Sequence, residues 1–290
     1  MGCCFTQKEI VEIIKKPLPV DFVFKPFIAK HDNFFKIAEE DMNYFQYLQL
    51  HDFLVLLQIF STDENEVDSD IKAYNKIITK QSFTVFIDLK IIKHFLIFPD
   101  SSKSNSFSED FKLLYENFYE ILFKGYKTIV TSVTGEKFAK DKTNIKKLKI
   151  LALMPLGFLF CKSSNRAKIE TIFNMFANDE NELTVDNKDF KVFICLMFSI
   201  PSGIFFITLK ELSKEKDLLV GKLDDDKYQE IYSTYEIKDS LRNAEGFIKL
   251  LFNDKNVLNF DDFQNSITDS KLNWIFTSSG IRNYLENNNN

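Results

Sequence analysis

Two groups of residues in this 290-residue chain have types and spacings suited to chemistry. The first is the opening hexapeptide Met-Gly-Cys-Cys-Phe-Thr. Gly2 becomes the amino terminus once Met1 is removed, and with Thr6 in the sixth position it fits the pattern for N-myristoylation. Cys3 and Cys4 are thiols placed for palmitoylation. One myristoyl chain binds a bilayer only marginally, on the order of 10⁴ M⁻¹, so stable anchoring needs a second signal, which the two thiols supply. The second group is the acidic run from Asn178 to Asp189. With Asp189 at the last of twelve loop positions, Asn178, Glu180, Glu182 and Asp186 fall at the first, third, fifth and ninth, a set of oxygens that suits calcium. Val185 is then the single inward aliphatic. Leu183 takes the sixth place, where a sharp turn favours glycine.

The flanking residues say what would hold that loop. Ile169, Ile172, Phe173 and Phe176 recur at i, i+3, i+4 and i+7, one face of a helix, and Phe190, Phe193, Ile194 and Met197 repeat the spacing after the loop. Elsewhere the periodicity predicts a helix through Ile71, Tyr74, Ile77 and Ile78 with Ser69 as its cap. Gln81–Phe98 reads as a buried helix more readily than a strand. A further helix is predicted from Ser108 to Gly125, preceded by a flexible connection at Pro99–Ser106. Ile150–Cys161 reads as a core helix interrupted near Pro155. From Val192 to Leu209 no residue is charged, but Ser199-Ile-Pro-Ser-Gly203 breaks the run, so two buried helices and a linker are expected instead of a membrane span.

Composition narrows the classes. Only 8 Gly and 6 Pro suit a helical protein, and a net charge of −5 argues against nucleic acid as a bulk partner. The 32 Phe, like the abundant Lys, Asn and Ile, follow AT-rich codons and define no aromatic site. Cys161 and Cys195 lie in apolar runs, and no Cys/His spacing suggests zinc or a disulfide framework, which points to a reducing cytosol. His31, His51 and His94 are scattered, and no phosphate loop, GxSxG, HExxH or kinase motif occurs, so no enzyme is expected.

Weaker copies of the acidic loop recur. Asp41, Asn43 and Asp52, the last followed by Phe53, give a poorer ligand set with Phe45 in place of the fifth oxygen. The run Lys216–Lys227 has Gly221 and Leu223 well placed, but lysines at both ends cannot hold a cation. Asn253–Asn259 lies between Phe252 and Phe260 and ends on Leu258, Asp262 and Phe263, about two residues short. Phe190, Tyr228 and Phe263 stand 38 and 35 residues apart. With its Met-Gly-Cys start the chain resembles the acylated EF-hand sensors, of the neuronal calcium sensor and calcineurin-B-like kind, over residues 166–270 and more faintly over 32–60; the stretch 63–150 does not align.

The resemblance implies an all-α protein of two lobes, each made of EF-hand-like helix–loop–helix units with mostly degenerate loops. The expected layout is an acylated anchor and tether over 1–30, with Pro17, Pro19 and Pro26 keeping it extended. A first helical lobe over 31–145 follows, then a second over 146–286 and a disordered tail over 287–290. It also implies calcium as a weak or absent ligand, a partner protein's helix as the occupant of an apolar groove, and the cytoplasmic face of a membrane as the location. A purely structural helical scaffold with no metal dependence is the other reading. In the C-terminal stretch Lys271–Glu286, Leu272, Ile275 and Phe276 share a face, so a short helix there either folds back into the groove or is plain core.

Overall fold

The computed structural model describes residues 48–62, 73–87, 101–136, 138, 146–204, 237–269 and 271–288. These residues are mostly helical, as composition requires. In chain order they form α1 (Leu50–Ile59), β1 (Ile77–Thr79), α2 (Lys80–Ile87), α3 (Ser101–Thr134), β2 (Lys147–Lys149), α4 (Ile150–Phe160) and α5 (Asn165–Phe176). Then come β3 (Leu183–Thr184), α6 (Lys188–Ser199), α7 (Ile237–Phe252), β4 (Val257–Leu258), α8 (Phe260–Asp269) and α9 (Ser278–Asn288). Every strand lies shortly before a helix, and the strands pair in twos. β1 and β2 run antiparallel, with Ile78 opposite Leu148. β3 and β4 do the same, with Leu183 opposite Leu258 and Thr184 opposite Val257. The stretch that could not be aligned by sequence thus follows the same plan as the later one: two helix–strand–helix units joined through their strands.

A buried tyrosine closes the first pair. The Tyr119 hydroxyl shares its proton between the Ile78 carbonyl at 2.7 Å and that of Lys146 at 3.0 Å, so one side chain on α3 ties the middle of β1 to the residue just before β2. Burial pushes its phenol well above the usual range, since a phenolate there would lack water. Beside it Glu120 takes Lys80 and Lys146 as partners.

Several elements differ from the sequence expectation. The expected helix through Ile71, Tyr74, Ile77 and Ile78 is not formed over 73–78: Ala73–Asn75 form one 3₁₀ turn and Ile77 begins β1, because Ile77 and Ile78 fill buried sheet positions. Ser69 and Ile71 lie outside the described residues. α3 starts at Ser101, within the expected connection, and runs through Gly125, because Tyr126, Ile129 and Val130 extend its buried stripe. It stops at Gly135, whose φ of 75° lets its N–H close back on the Thr131 carbonyl. Ser199–Gly203 does not break off α6 as a linker either. Ile200–Ile204 form a buried π turn that continues α6, where the Ser202 hydroxyl takes the Phe198 carbonyl at 2.5 Å. α9 reaches Asn288, inside the expected tail.

Among the described residues, α4 is the helix buried along its whole length. All eleven of its residues are buried, and Pro155 sits inside the helix without interrupting it. Burial on every side holds the helix together across the missing N–H, a case of packing overriding propensity. Gly157 is where α1 crosses it: a Cβ there would lie 2.5 Å from Phe53 Cδ1 and 2.9 Å from Leu50 Cδ1. Both side chains are core, Phe53 with no exposure at all. Gly157→Ala is therefore expected to destabilise the protein by about 1–3 kcal/mol, the range for overpacking, although alanine is the better helix former. A chemical denaturation curve checks this.

One buried apolar cluster runs from Leu50 to Leu285 through both halves. α3 packs on α6, α7 and the π turn, so the helices of the first half lean on those of the second. No helix among the described residues is long and apolar enough to cross a membrane.

Candidate functional site: the paired loops

Ser164 starts α5 by accepting the Ala167 N–H at 3.2 Å, and the predicted face of Ile169, Ile172, Phe173 and Phe176 is buried. The chain then turns sharply. Asn178 Oδ1 accepts the N–H groups of Glu180 (3.1 Å) and Glu182 (2.9 Å), and the Asn178 N–H reaches the Glu182 carbonyl at 2.8 Å. The left-handed residue that such a turn demands is Asn181, with φ 61°. It was expected at Leu183.

Leu183 instead takes the inward position. It is fully buried opposite Leu258, also fully buried, while Val185 is only half-buried and gives its N–H to the Asn256 carbonyl at 2.9 Å. The loop therefore runs two residues out of the frame that the sequence suggested. In the shifted frame Phe176 falls at the first ligand position and Asn187 at the last. An apolar residue and an amide cannot replace the two carboxylates that usually hold the ion.

The five expected ligands are placed as follows. Asn178 spends its side-chain oxygen on two backbone donors, Glu180 is exposed, and Glu182 is half-exposed. Asp186 is exposed and faces Lys191 at 3.6 Å. Asp189 lies in the first turn of α6, and burial, followed by the charge of this carboxylate, pushes the Tyr74 phenol well above its usual range. Among the described residues no three His, Cys, Asp or Glu side chains gather closely enough to hold a metal ion. This arrangement does not fit calcium. Asn187 does the joining instead: its Nδ2 donates to the Phe176 carbonyl at 2.8 Å and its Oδ1 accepts the Phe190 N–H at 2.9 Å, linking the end of α5 to the start of α6.

The partner loop, 253–259, has the helix boundaries read from sequence, with α7 ending at Phe252 and α8 starting at Phe260. Asn253 and Asp254 both take positive φ, at 44° and 66°, which lets so short a loop reverse. Asn259 caps α8 by accepting the Asp262 N–H at 2.8 Å. The Asp262 carboxylate meets the Lys255 ammonium at 3.0 Å, so this loop carries its own cation.

The remaining sequence candidates divide. Asp52 lies buried in the first turn of α1. Asp41 and Asn43, the acylation residues Gly2, Cys3 and Cys4, and the Lys216–Lys227 loop lie outside the described residues. Cys161 and Cys195 are free and buried, and burial pushes both thiols up, Cys195 to about 12, which leaves them inert as nucleophiles.

Sequence reasoning missed Lys168. It is 6% exposed, and its ammonium donates to the Phe158 carbonyl at 2.5 Å and the Phe276 carbonyl at 3.1 Å. These oxygens belong to the last turns of α4 and of the 3₁₀ turn Leu272–Phe276, where carbonyls have no partner within their own helix. One hint existed: Lys168 adjoins Ile169 on the apolar face.

Family models, curated proteins and solved structures were all compared with the chain, and none matches it.

Proposed function

We propose that this chain is a non-enzymatic, membrane-anchored regulator or adaptor of the EF-hand kind, which binds a helix of a partner protein with weak or absent calcium dependence. The observation that carries the reading is the pairing of Leu183 with Leu258. It couples two helix–loop–helix units back to back through a short antiparallel strand pair, as a paired calcium-sensor lobe requires, and the strand pair with Ile78 opposite Leu148 repeats the device. Loops preserved as packing units but spent on internal partners favour a protein whose surface, and not its ion, does the work. The anchor rests on the sequence pattern at Gly2, Cys3 and Cys4, and it sets the location at the cytoplasmic face of a membrane.

A metal-independent scaffold is the second reading. It is favoured by the way the C-terminal segment occupies the space beside α6 and α7, with Trp274 stacked on Tyr284 at 4.1 Å and against Phe198 and Phe247.

Membrane recovery with and without chelator tests the proposal. The parent is expected in the membrane fraction together with a stoichiometric partner, in both conditions. Gly2→Ala is expected to release the chain to the soluble fraction, and the Cys3→Ala, Cys4→Ala pair to leave only weak attachment. A Gly2 variant that stays on membranes as well as the parent sinks the anchor. A parent that brings no partner favours the scaffold.

A further inference from the structure

Charge is spread unevenly along this chain. Its net charge is −5, yet the stretch from Lys124 to Lys149 holds eight lysines against only Glu136 and Asp141, a local charge of +6. Lys124 and Lys127 open that stretch on α3, three positions apart and so neighbours on one helix face. The helix carries no acidic residue from Ile121 to Thr134. Glu120, the nearest acid on the same face, is already engaged by Lys80 and Lys146. The helix dipole does not account for the two lysines, because its pull is confined to the last turn, and that turn of α3 has no basic residue. A phenyl ring lies with them. Phe138, three residues after Gly135 ends the helix, has its ring 6.4 Å from that of Tyr126. The Lys127 ammonium stands 4.6 Å from the centre of the Phe123 ring and 5.2 Å from that of Phe138. Phe138 is still 42% exposed, and Lys124 is exposed too. Thr128, Thr131 and Ser132 continue the exposed side of α3 without charge.

We propose that this face, Lys124 and Lys127 with the Phe138 ring, is a docking surface for an anionic phospholipid bilayer. It rests on the membrane-anchored reading in one respect: the anchor brings the bilayer within reach. A bilayer offers both things the face lacks, anionic headgroups for the ammoniums and an apolar boundary for the ring. A free phosphate would leave the ring in water. A polynucleotide holds its protein through many phosphate contacts, and a chain of net charge −5 with two lysines on this face supplies too few. An anchored chain needs less. Each lysine near an anionic surface is worth roughly a fivefold gain in binding, and acids farther from that surface than a Debye length do not cancel it. The anchor then decides that the chain is held, and this face decides how it lies, with α3 toward the headgroups. Alone the face binds too weakly to survive fractionation, so Gly2→Ala is still expected in the soluble fraction.

The test uses the full-length Gly2→Ala chain, so that no acyl chain contributes. It is sedimented with vesicles of phosphatidylcholine alone and of phosphatidylcholine with phosphatidylserine at about 2:1. Binding is expected on the mixed vesicles only. It should be lost as salt rises from about 0.1 M to about 1 M, which shortens the Debye length from ~10 Å to ~3 Å. Lys124→Gln is expected to weaken binding about fivefold, and Lys124→Gln with Lys127→Gln about 25-fold. Phe138→Ala is expected to weaken it severalfold and to leave its salt dependence unchanged. Lys249→Gln, at an exposed lysine of α7, is expected to change nothing. Circular dichroism checks each fold, and because Lys124 is exposed its variant decides the matter even if Lys127→Gln disturbs the rings. Equal binding to both vesicles, binding to neither, or equal losses for Lys124→Gln and Lys249→Gln overturns the proposal. So does retention on a single-stranded oligonucleotide in place of the mixed vesicles. None of these outcomes bears on Gly2-dependent membrane recovery or partner capture, so failure of this face and failure of the proposed function are told apart.

Discussion

Removal of all residues after Ser270 is expected to unfold the second half of the chain, not to open a binding surface. Leu272, Ile275, Phe276, Ile281 and Leu285 are each at most 4% exposed. Burying a side chain of this kind is worth roughly 1.5–3 kcal/mol, so the five together rival the whole stability of a domain, about 5–15 kcal/mol. The cut also takes away the Phe276 carbonyl, which leaves the buried Lys168 ammonium with one acceptor instead of two. Circular dichroism and urea titration of the truncated chain check the expectation. A cooperative transition near the parent's midpoint would mean that the segment is a detachable plug in the groove. The structure favours core, the plainer of the two alternatives for Lys271–Glu286.

Lys168 should make stability depend on pH in an unusual sense. Burial lowers its pKa from 10.5 to about 8, with the neighbouring Cys161 partly opposing the shift. The folded protein thus binds this proton less tightly than the unfolded chain does. Stability from this group is fully present above the unfolded value and is lost as pH falls through the folded one. The difference amounts to roughly 3 kcal/mol across the whole window and about 1 kcal/mol between pH 8 and 9. The buried thiols and phenols act oppositely. Their folded values are raised, so their contribution holds at low pH and is lost as pH climbs past about 9 for Cys161 and Cys195, and past about 10 for Tyr74 and Tyr119. The parent should therefore gain stability from pH 7.5 to 9 and lose it beyond. Lys168→Met, which keeps the length without the charge, should be flat over that rise. Equal pH profiles for the two proteins in urea would show that the ammonium is already hydrated in the fold.

What the sequence by itself determined is the helical class, the faces of α5 and α6, and the boundaries of the 253–259 loop. These depend on spacing along one element, which a single chain displays. Tertiary structure decided the rest. Two residues of frame in the 178–189 loop were set by Leu183 meeting Leu258, a contact between loops 75 positions apart that no local pattern encodes. The same holds for the first pair: Ile77 and Ile78 have helical spacing with Tyr74, yet the opposing strand at Leu148 draws them into a sheet. Pro155 and Ser199–Gly203 look like breaks because propensity is local, and both run on because every side of those segments is packed. The candidate calcium ligands were legible as residue types. Their partners were not: Asn178 turns its side-chain oxygen on the Glu180 and Glu182 N–H groups, and Asp186 faces Lys191. An oxygen can hold an ion only if nothing nearer has claimed it, and that is settled by the fold.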